Sequence, residues 1–395
     1  RAGVWGQETR GEMTVEHTIP VFRPSITEAE VDAVAETLRS GWLGCGPKVQ
    51  AFEDAFAAYV GAKHAVAVNS CTAALHLAMR ALGVRKGDTV IVPALTFVST
   101  ALAATYCGAD VVFADVDEET LCIDWEDAGW KLDCIEMGVE RVAIAPVHFG
   151  GYPCAAPEID RALKGAVVIE DCAHAAGAPV GKFGDAACWS FHAVKNMTTG
   201  DGGMITTDRT SLVEPLRRMR WCGINKDTWS RMGLRGNVTI RDRASRYGWY
   251  YEVAELGWKY HMNDIAASIG LAQLARLDTM NARRRDIAEH YTATFAPVEQ
   301  IRTPPDAPGH AWHAYIVRVP DRNALGAYLR ERGISTGVHY MPLHLHPLYS
   351  ETRQSVPVAE SVWESLLTLP LFPDMTDGEV ERVTRAVVEG VETCR

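Results

Sequence analysis

The 395-residue chain contains no Cys-x-x-Cys pair, although ten cysteines are scattered from Cys45 to Cys394. Without that spacing neither a zinc site nor a disulfide framework is suggested, and a reducing, cytoplasmic compartment is expected. No apolar run approaches the roughly 18 residues that a membrane span requires, and residues 1–16 are too polar for a secretory signal. Basic residues are in the minority, 39 Lys+Arg against 50 Asp+Glu for a formal charge of -11. No basic stripe with interleaved aromatics runs along the chain, so nucleic-acid binding is not expected. Arg217-Arg218-Met219-Arg220 and Arg283-Arg284-Arg285 read as solvated helix faces. The glycine fingerprints of nucleotide folds are missing too. Gly44-Cys-Gly46 lacks a third glycine and follows no strand, and Gly177-Ala-Pro-Val-Gly181-Lys182 is one residue short of a phosphate loop.

What is present is the material of a folded protein with a large core. Hydrophobic residues make up 47% and charged residues 23%, and the length exceeds one compact core, so two domains are expected. Hydrophobic periodicity alternates between helical and extended. A capping box at Thr27 and Glu30 opens a helix expected to bury Val31, Val34 and Leu38, and a second helix from Pro47 carries Val49, Phe52, Phe56 and Tyr59. Seven short apolar runs read as buried strands: His64–Val68, Thr89–Val92, Asp110–Ala114, Arg141–Pro146, Ala166–Glu170, Ala186–Phe191 and Gly203–Thr206. Helix-length segments separate most of them, which predicts an α/β fold with a mostly parallel seven-stranded sheet flanked by helices. A long or kinked helix spans about Asn263 to Phe295. Beyond it Ala314–Val319 as strand, Ala324–Arg332 as helix and Thr336–Tyr340 as strand suggest a smaller α+β domain. The expected division is a disordered leader at 1–16, a large domain at 17–270 and a small C-terminal domain at 271–395.

Candidate chemistry gathers where the strands end, the usual ligand position in such sheets. Asn69-Ser-Cys-Thr-Ala-Ala-Leu75 follows a strand and opens a helix, so it is either a phosphate cradle of backbone N–H groups and the Thr72 hydroxyl or an ordinary helix cap. Val167-Val-Ile-Glu-Asp171 delivers a carboxylate at a strand end, where burial demands a cationic partner: a protonated pyridine nitrogen or an Arg or Lys. His174 either reaches a ring hydroxyl or fills space. Lys195 follows an aromatic strand and precedes a glycine-rich turn, a poor place for a solvated charge. A desolvated lysine loses basicity and becomes a nucleophile towards aldehydes. His339, His344 and His346 are irregularly spaced and lack carboxylate or cysteine partners, so no metal is expected there.

With these residues in hand, the chain resembles the DegT/DnrJ/EryC1/StrS aminotransferases, pyridoxal-phosphate enzymes of fold type I that mostly aminate keto-sugars attached to nucleotides. The likeness runs from about 19 to 390, through Ser40-Gly-Trp-Leu43, Pro93-Ala-Leu-Thr-Phe-Val-Ser-Thr100, Glu170-Asp-Cys-Ala-His174, Ser190-Phe-His-Ala-Val-Lys-Asn196, Gly333-Ile-Ser-Thr-Gly-Val-His-Tyr340 and Leu369-Pro-Leu-Phe-Pro373. His310-Ala-Trp-His-Ala-Tyr315 and Thr336-Gly-Val-His339 look closest to the branch that aminates C4 of keto-pyranoses.

The resemblance implies that Lys195 carries pyridoxal 5′-phosphate as a Schiff base and shuttles the proton, that Asp171 holds the pyridine nitrogen protonated, and that Phe97 stacks on the ring. It further implies that Cys71 and Thr72 amides and the Ser190 hydroxyl bind phosphate, with His174 near the ring oxygen and His339 and Tyr340 facing the substrate. L-glutamate would donate the amine to a nucleotide-diphosphate keto-sugar, in amino-sugar synthesis for a natural product or a surface polysaccharide, and a homodimer would build the site. Where the family commonly has Gly-Tyr-Asn-Tyr-Arg this chain reads Gly257-Trp-Lys-Tyr-His261, so Lys259 would replace the asparagine that reaches the partner's phosphate. Trp229 and Met232–Tyr251 read either as a mobile loop over the nucleotide or as a plain surface insertion. A keto-cyclitol acceptor, a regulatory pyridoxal-phosphate protein without turnover and an NAD-dependent oxidoreductase are the rival readings.

Overall fold

The computed structural model describes residues 18–135, 141–154, 165–225, 251–352 and 354–394. The expected leader, Trp229 and nearly all of Met232–Tyr251 lie outside the described residues.

The seven predicted strands form one sheet: β1 (His64–Val68), β2 (Thr89–Pro93), β3 (Asp110–Ala114), β4 (Val142–Ile144), β5 (Val167–Asp171), β6 (Ala186–Ser190) and β7 (Gly203–Thr207). Their spatial order is β1-β7-β6-β5-β4-β2-β3, and β7 alone runs against the rest, pairing antiparallel with β1 and β6. Because β7 is reversed, its first residue stands beside the last residues of its neighbours: Gly203 faces Ser190 on one side and Val68 on the other. Asp171 ends β5 one strand further along, paired with Cys188. The sheet therefore sets the ends of β1, β5 and β6 and the start of β7 on one rim.

Helices α1 (Glu28–Ser40) and α2 (Pro47–Val60) precede β1, and α3 (Cys71–Ala81), α4 (Ser99–Cys107) and α5 (Trp125–Cys134) follow β1, β2 and β3 in turn. After β7 come α6 (Thr210–Met219), α7 (Asp264–Leu274) and α8 (Leu277–Phe295). The predicted long helix is thus two, broken at Ala275 and Arg276. Val90, Ile91 and Val92 of β2 are fully buried, as expected where both faces of the sheet are covered. Ser70 caps α3 through its side chain, which accepts from the Ala73 N–H. The small residues Ala73 and Ala74 then let the helix lie close on the sheet, and a Cβ on Gly203 would stand 2.5 Å from the Ser70 carbonyl.

Two expectations about surfaces are corrected. In α1 the capping box forms, but Val31 and Leu38 are 51% and 52% exposed while Glu30 and Thr37 are buried. The inward face is chosen by hydrogen bonds: Glu30 accepts from the Gln273 amide at 2.7 Å and pairs with Arg276, contacts no apolar residue supplies. Nor are the two arginine clusters wholly solvated. Arg220 is buried against Glu53, and buried Arg284 donates to the Leu371 carbonyl.

A second, smaller core forms around β8 (Tyr315–Arg318) and its antiparallel partner β9 (Leu366–Leu369), covered by α9 (Arg322–Glu331), the end of α8 and α11 (Asp377–Thr393), with α10 (Pro357–Trp363) before β9. Thr336–Tyr340 is not the predicted strand. It meets β9 at a single bridge, Gly337 to Thr368, and then turns towards the sheet rim.

Candidate active site

A cavity of about 340 Å³ opens on that rim, and nine of the ten site residues singled out in the sequence line it: Cys71, Thr72, Phe97, Asp171, His174, Ser190, Lys195, His339 and Tyr340. The tenth, Lys259, lies elsewhere. Its Nζ stands 3.4 Å from the centre of the Trp221 ring, and its carbonyl accepts from the Asn69 side chain.

The floor is built by strand ends. Asp171 is buried, with one carboxylate oxygen accepting from Thr100 Oγ1 at 2.8 Å and the other from the Ala173 N–H at 3.0 Å. Among the described residues no cation pairs directly with it, and burial raises its carboxyl above the ordinary range against those two hydrogen bonds. Its neighbour Glu170 is fully satisfied by three backbone N–H groups, from Gly181, Phe183 and Gly184, and by His148 Nε2. His148 Nδ1 accepts from the Cys154 N–H, so Nε2 carries the proton and donates. Glu170, His148 and Cys172 come close enough for a metal, but this proton and the committed lone pairs make the cluster a structural brace.

One wall is the start of α3, where first-turn N–H groups lack helical acceptors and carry the positive end of the helix dipole. Thr72 Oγ1 lies 2.7 Å from Ser99 Oγ. Phe97 is 55% exposed beside the opening, its ring centre 5.9 Å from that of Tyr340. Lys195 reaches in from the turn after β6. Burial lowers its pKa to about 8, against the pull of Cys71 and Asp171, so the neutral amine is far more populated near physiological pH than it is for an ordinary lysine.

The other wall carries imidazoles. His174 Nδ1 accepts from the Gly150 N–H at 3.2 Å, so in the neutral ring Nε2 bears the hydrogen and donates to Tyr340 Oη, also at 3.2 Å. Burial first, and then the Lys195 charge, holds His174 well below the usual imidazole range. His339 Nδ1 lies 2.8 Å from Thr368 Oγ1, and the same two causes lower its pKa to about 4. Sequence reasoning missed Phe22 and His313, which also line the cavity. Their only signal was inclusion of His313 in the quoted His310–Tyr315 segment, and nothing local pointed it at Lys195.

The model of the DegT/DnrJ/EryC1/StrS aminotransferase family matches residues 24–388. The chain is 42% identical over 394 residues to the spore coat polysaccharide biosynthesis protein SpsC of Bacillus subtilis, covering 94% of this chain and 96% of that protein. Among solved structures, the aminotransferase TlmJ from Streptoalloteichus hindustanus has a TM-score of 0.84 at 35% identity, over 96% of this chain and all (100%) of that one. Spr1654 from Streptococcus pneumoniae, described as a putative sugar aminotransferase and solved in its PLP form, has a TM-score of 0.84 at 29% identity, covering 96% and 100%. The chain belongs to the DegT/DnrJ/EryC1/StrS aminotransferase family, whose members depend on pyridoxal phosphate.

Proposed function

We propose that this protein is a sugar aminotransferase that takes the amino group of L-glutamate and delivers it to C4 of a keto-6-deoxyhexose carried on dTDP or UDP, working as a homodimer. The observation that carries the reading is one cavity in which a lysine of lowered basicity, a buried carboxylate with no direct cationic partner among the described residues and a helix N-terminus converge.

That donor set fits pyridoxal phosphate. Asp171 would meet the pyridinium, the Cys71 and Thr72 amides with the Ser190 hydroxyl would hold the phosphate, Phe97 would cover the ring, and His174 would donate near the ring oxygen. Bound through Lys195, the cofactor supplies an electron sink for the carbon that loses its proton. Lys195 moves that proton, while Tyr340, whose oxygen already accepts from His174, is free to donate its own O–H to the sugar beside His339. Lys259 does not line the cavity of its own subunit, so a phosphate contact would come from Lys259 of the partner subunit. The exposed apolar residues Val31 and Leu38 are what a partner subunit would cover. The division at about residue 270 and a cytoplasmic location belong to the same proposal.

The test is spectroscopic. Protein loaded with pyridoxal phosphate should show a visible band that Lys195→Ala abolishes and glutamate bleaches, and a dTDP- or UDP-linked 4-keto-6-deoxyhexose should restore it. A band that glutamate leaves unchanged ends the aminotransferase reading. Restoration by a keto-cyclitol alone replaces the acceptor.

A further inference from the structure

None of these roles gives a task to a histidine that stands beside Lys195. His313 comes from the segment before β8, 118 residues along the chain, and brings Nε2 to 3.4 Å from Lys195 Nζ. The ring is buried and held in place. Phe22 stacks on it at 5.1 Å with 11° between the planes, and the His174 ring lies 4.4 Å away. Its backbone is fixed as well: Trp312 adopts a positive φ of 47°, and a Cβ on Gly151 would stand 3.0 Å from the amide nitrogens of Trp312 and His313. The charged groups acting on the His313 ring are Lys195 and Arg284, with His174 and His339 as further titratable neighbours. Those acting on Lys195 are Cys71 and Asp171.

Burial, the Lys195 charge and these neighbours keep His313 neutral. A neutral imidazole has one accepting nitrogen, and a lysine Nζ is a donor in both of its charge states. Against the ammonium, which has no lone pair, Nε2 accepts from Nζ, and the hydrogen of His313 then sits on Nδ1, which is buried with no hydrogen-bond partner among the described residues. A neutral amine that gives one N–H to His313 has its lone pair and its second hydrogen directed elsewhere, at tetrahedral angles from that bond.

We propose that His313 is a positioning residue of this site: by accepting one N–H of Lys195 it aims the lysine lone pair into the cavity, at the carbon whose proton the lysine removes. The proposal rests on the reading of Lys195 as the reacting amine. The step balances without His313 taking a proton. The substrate carbon gives its proton to the Nζ lone pair, leaving its bonding electrons behind. The resulting ammonium keeps one hydrogen on His313 Nε2 and later gives up another. An imidazole that could itself be protonated would compete for that proton and repel the ammonium.

The experiment compares His313→Leu with His313→Gln, the second of which retains an acceptor. The amine of Lys195 is titrated in protein stripped of cofactor, from the pH dependence of its labelling by trinitrobenzenesulfonate, with the site read by mass spectrometry. Loss of the acceptor destabilises the ammonium, so the Leu variant should titrate about one unit below the parent, while the Gln variant stays within a few tenths. With cofactor bound, the donor half-reaction of the Leu variant should slow by roughly tenfold or more, and the isotope effect of α-deuterated donor should grow as proton removal becomes limiting. The Gln variant should recover most of both. A folded Leu variant with the parent's midpoint and isotope effect overturns the proposal, and so does a Gln variant as impaired as Leu. If glutamate is not a donor for the parent itself, the labelling still decides whether His313 holds Lys195, so the two failures are separable.

Discussion

Asn196, the residue after Lys195, gives one amide hydrogen to Asn281 Oδ1 at 2.8 Å and the other to the Ala311 carbonyl at 2.7 Å. Asn281 in turn donates to the Ala176 carbonyl at 2.9 Å. Two buried amides thus tie together the lysine turn, the loop after Asp171 that carries His174, and the segment that carries His313. Asn281→Leu should leave the Ala176 carbonyl and one Asn196 hydrogen unpaired in the interior, costing about 2–4 kcal/mol. Urea unfolding checks the stability, and the affinity for pyridoxal phosphate, which should weaken, checks the positioning.

Asp171→Asn separates charge from shape. An asparagine retains an oxygen for the Ala173 N–H and places its amide against Thr100 Oγ1, which can accept, so the fold should persist. The negative charge facing the proposed ring nitrogen is lost. Turnover should fall roughly 100-fold, equivalent to about 2.7 kcal/mol of transition-state stabilisation, a size reasonable for one charge-assisted hydrogen bond. Comparison of turnover with the thermal midpoint tests this: a variant with parental turnover would remove Asp171 from the chemistry.

The sheet and most of the cavity were legible because their signals are local. A run of Val and Ile ending in Asp171, or a lysine between an aromatic strand and glycines, is visible within ten residues. Residues that act through tertiary contact were not. His313 meets Lys195 across 118 residues and Asn281 meets Asn196 across 85, with no periodicity to mark either pair. The orientation of α1 was misread for a related reason. Apolar spacing identifies Val31, Val34 and Leu38 as one face, but the inward choice is made by Glu30 finding Gln273 and Arg276, partners the helix's own sequence does not contain.

Gly203→Ala probes how closely β7 must approach α3. The added Cβ would meet the Ser70 carbonyl carbon and oxygen at 2.5 Å and the Cys71 amide nitrogen at 2.7 Å, all backbone that cannot rotate away. Either the strand or the helix start must shift, at about 1–3 kcal/mol. Because the same turn presents the proposed phosphate donors, cofactor affinity should drop along with the thermal midpoint. An unchanged affinity in a destabilised variant would move the phosphate away from this turn.

Lys195 should also be a liability for stability, with a definite pH dependence. Its pKa falls from an ordinary 10.5 to about 8 on folding, because burial penalises the ammonium. Below that folded value both states hold the proton, and the folded protein bears the whole desolvation penalty. Between the folded and unfolded values the unfolded chain binds more protons, so stability rises with pH, and above the unfolded value the penalty is gone. Lys195→Met, which fills similar volume without charge, should therefore stabilise the cofactor-free protein at neutral pH by about 1–3 kcal/mol, the lower part of that range allowing for solvent that enters through the cavity. The advantage should shrink steadily as pH climbs from about 8 towards 10.5. Thermal unfolding of both proteins without cofactor, across that window, checks the sign. A methionine variant less stable than the parent at neutral pH, or a difference indifferent to pH, would mean that the amine is not desolvated and that the basis for its reactivity lies elsewhere.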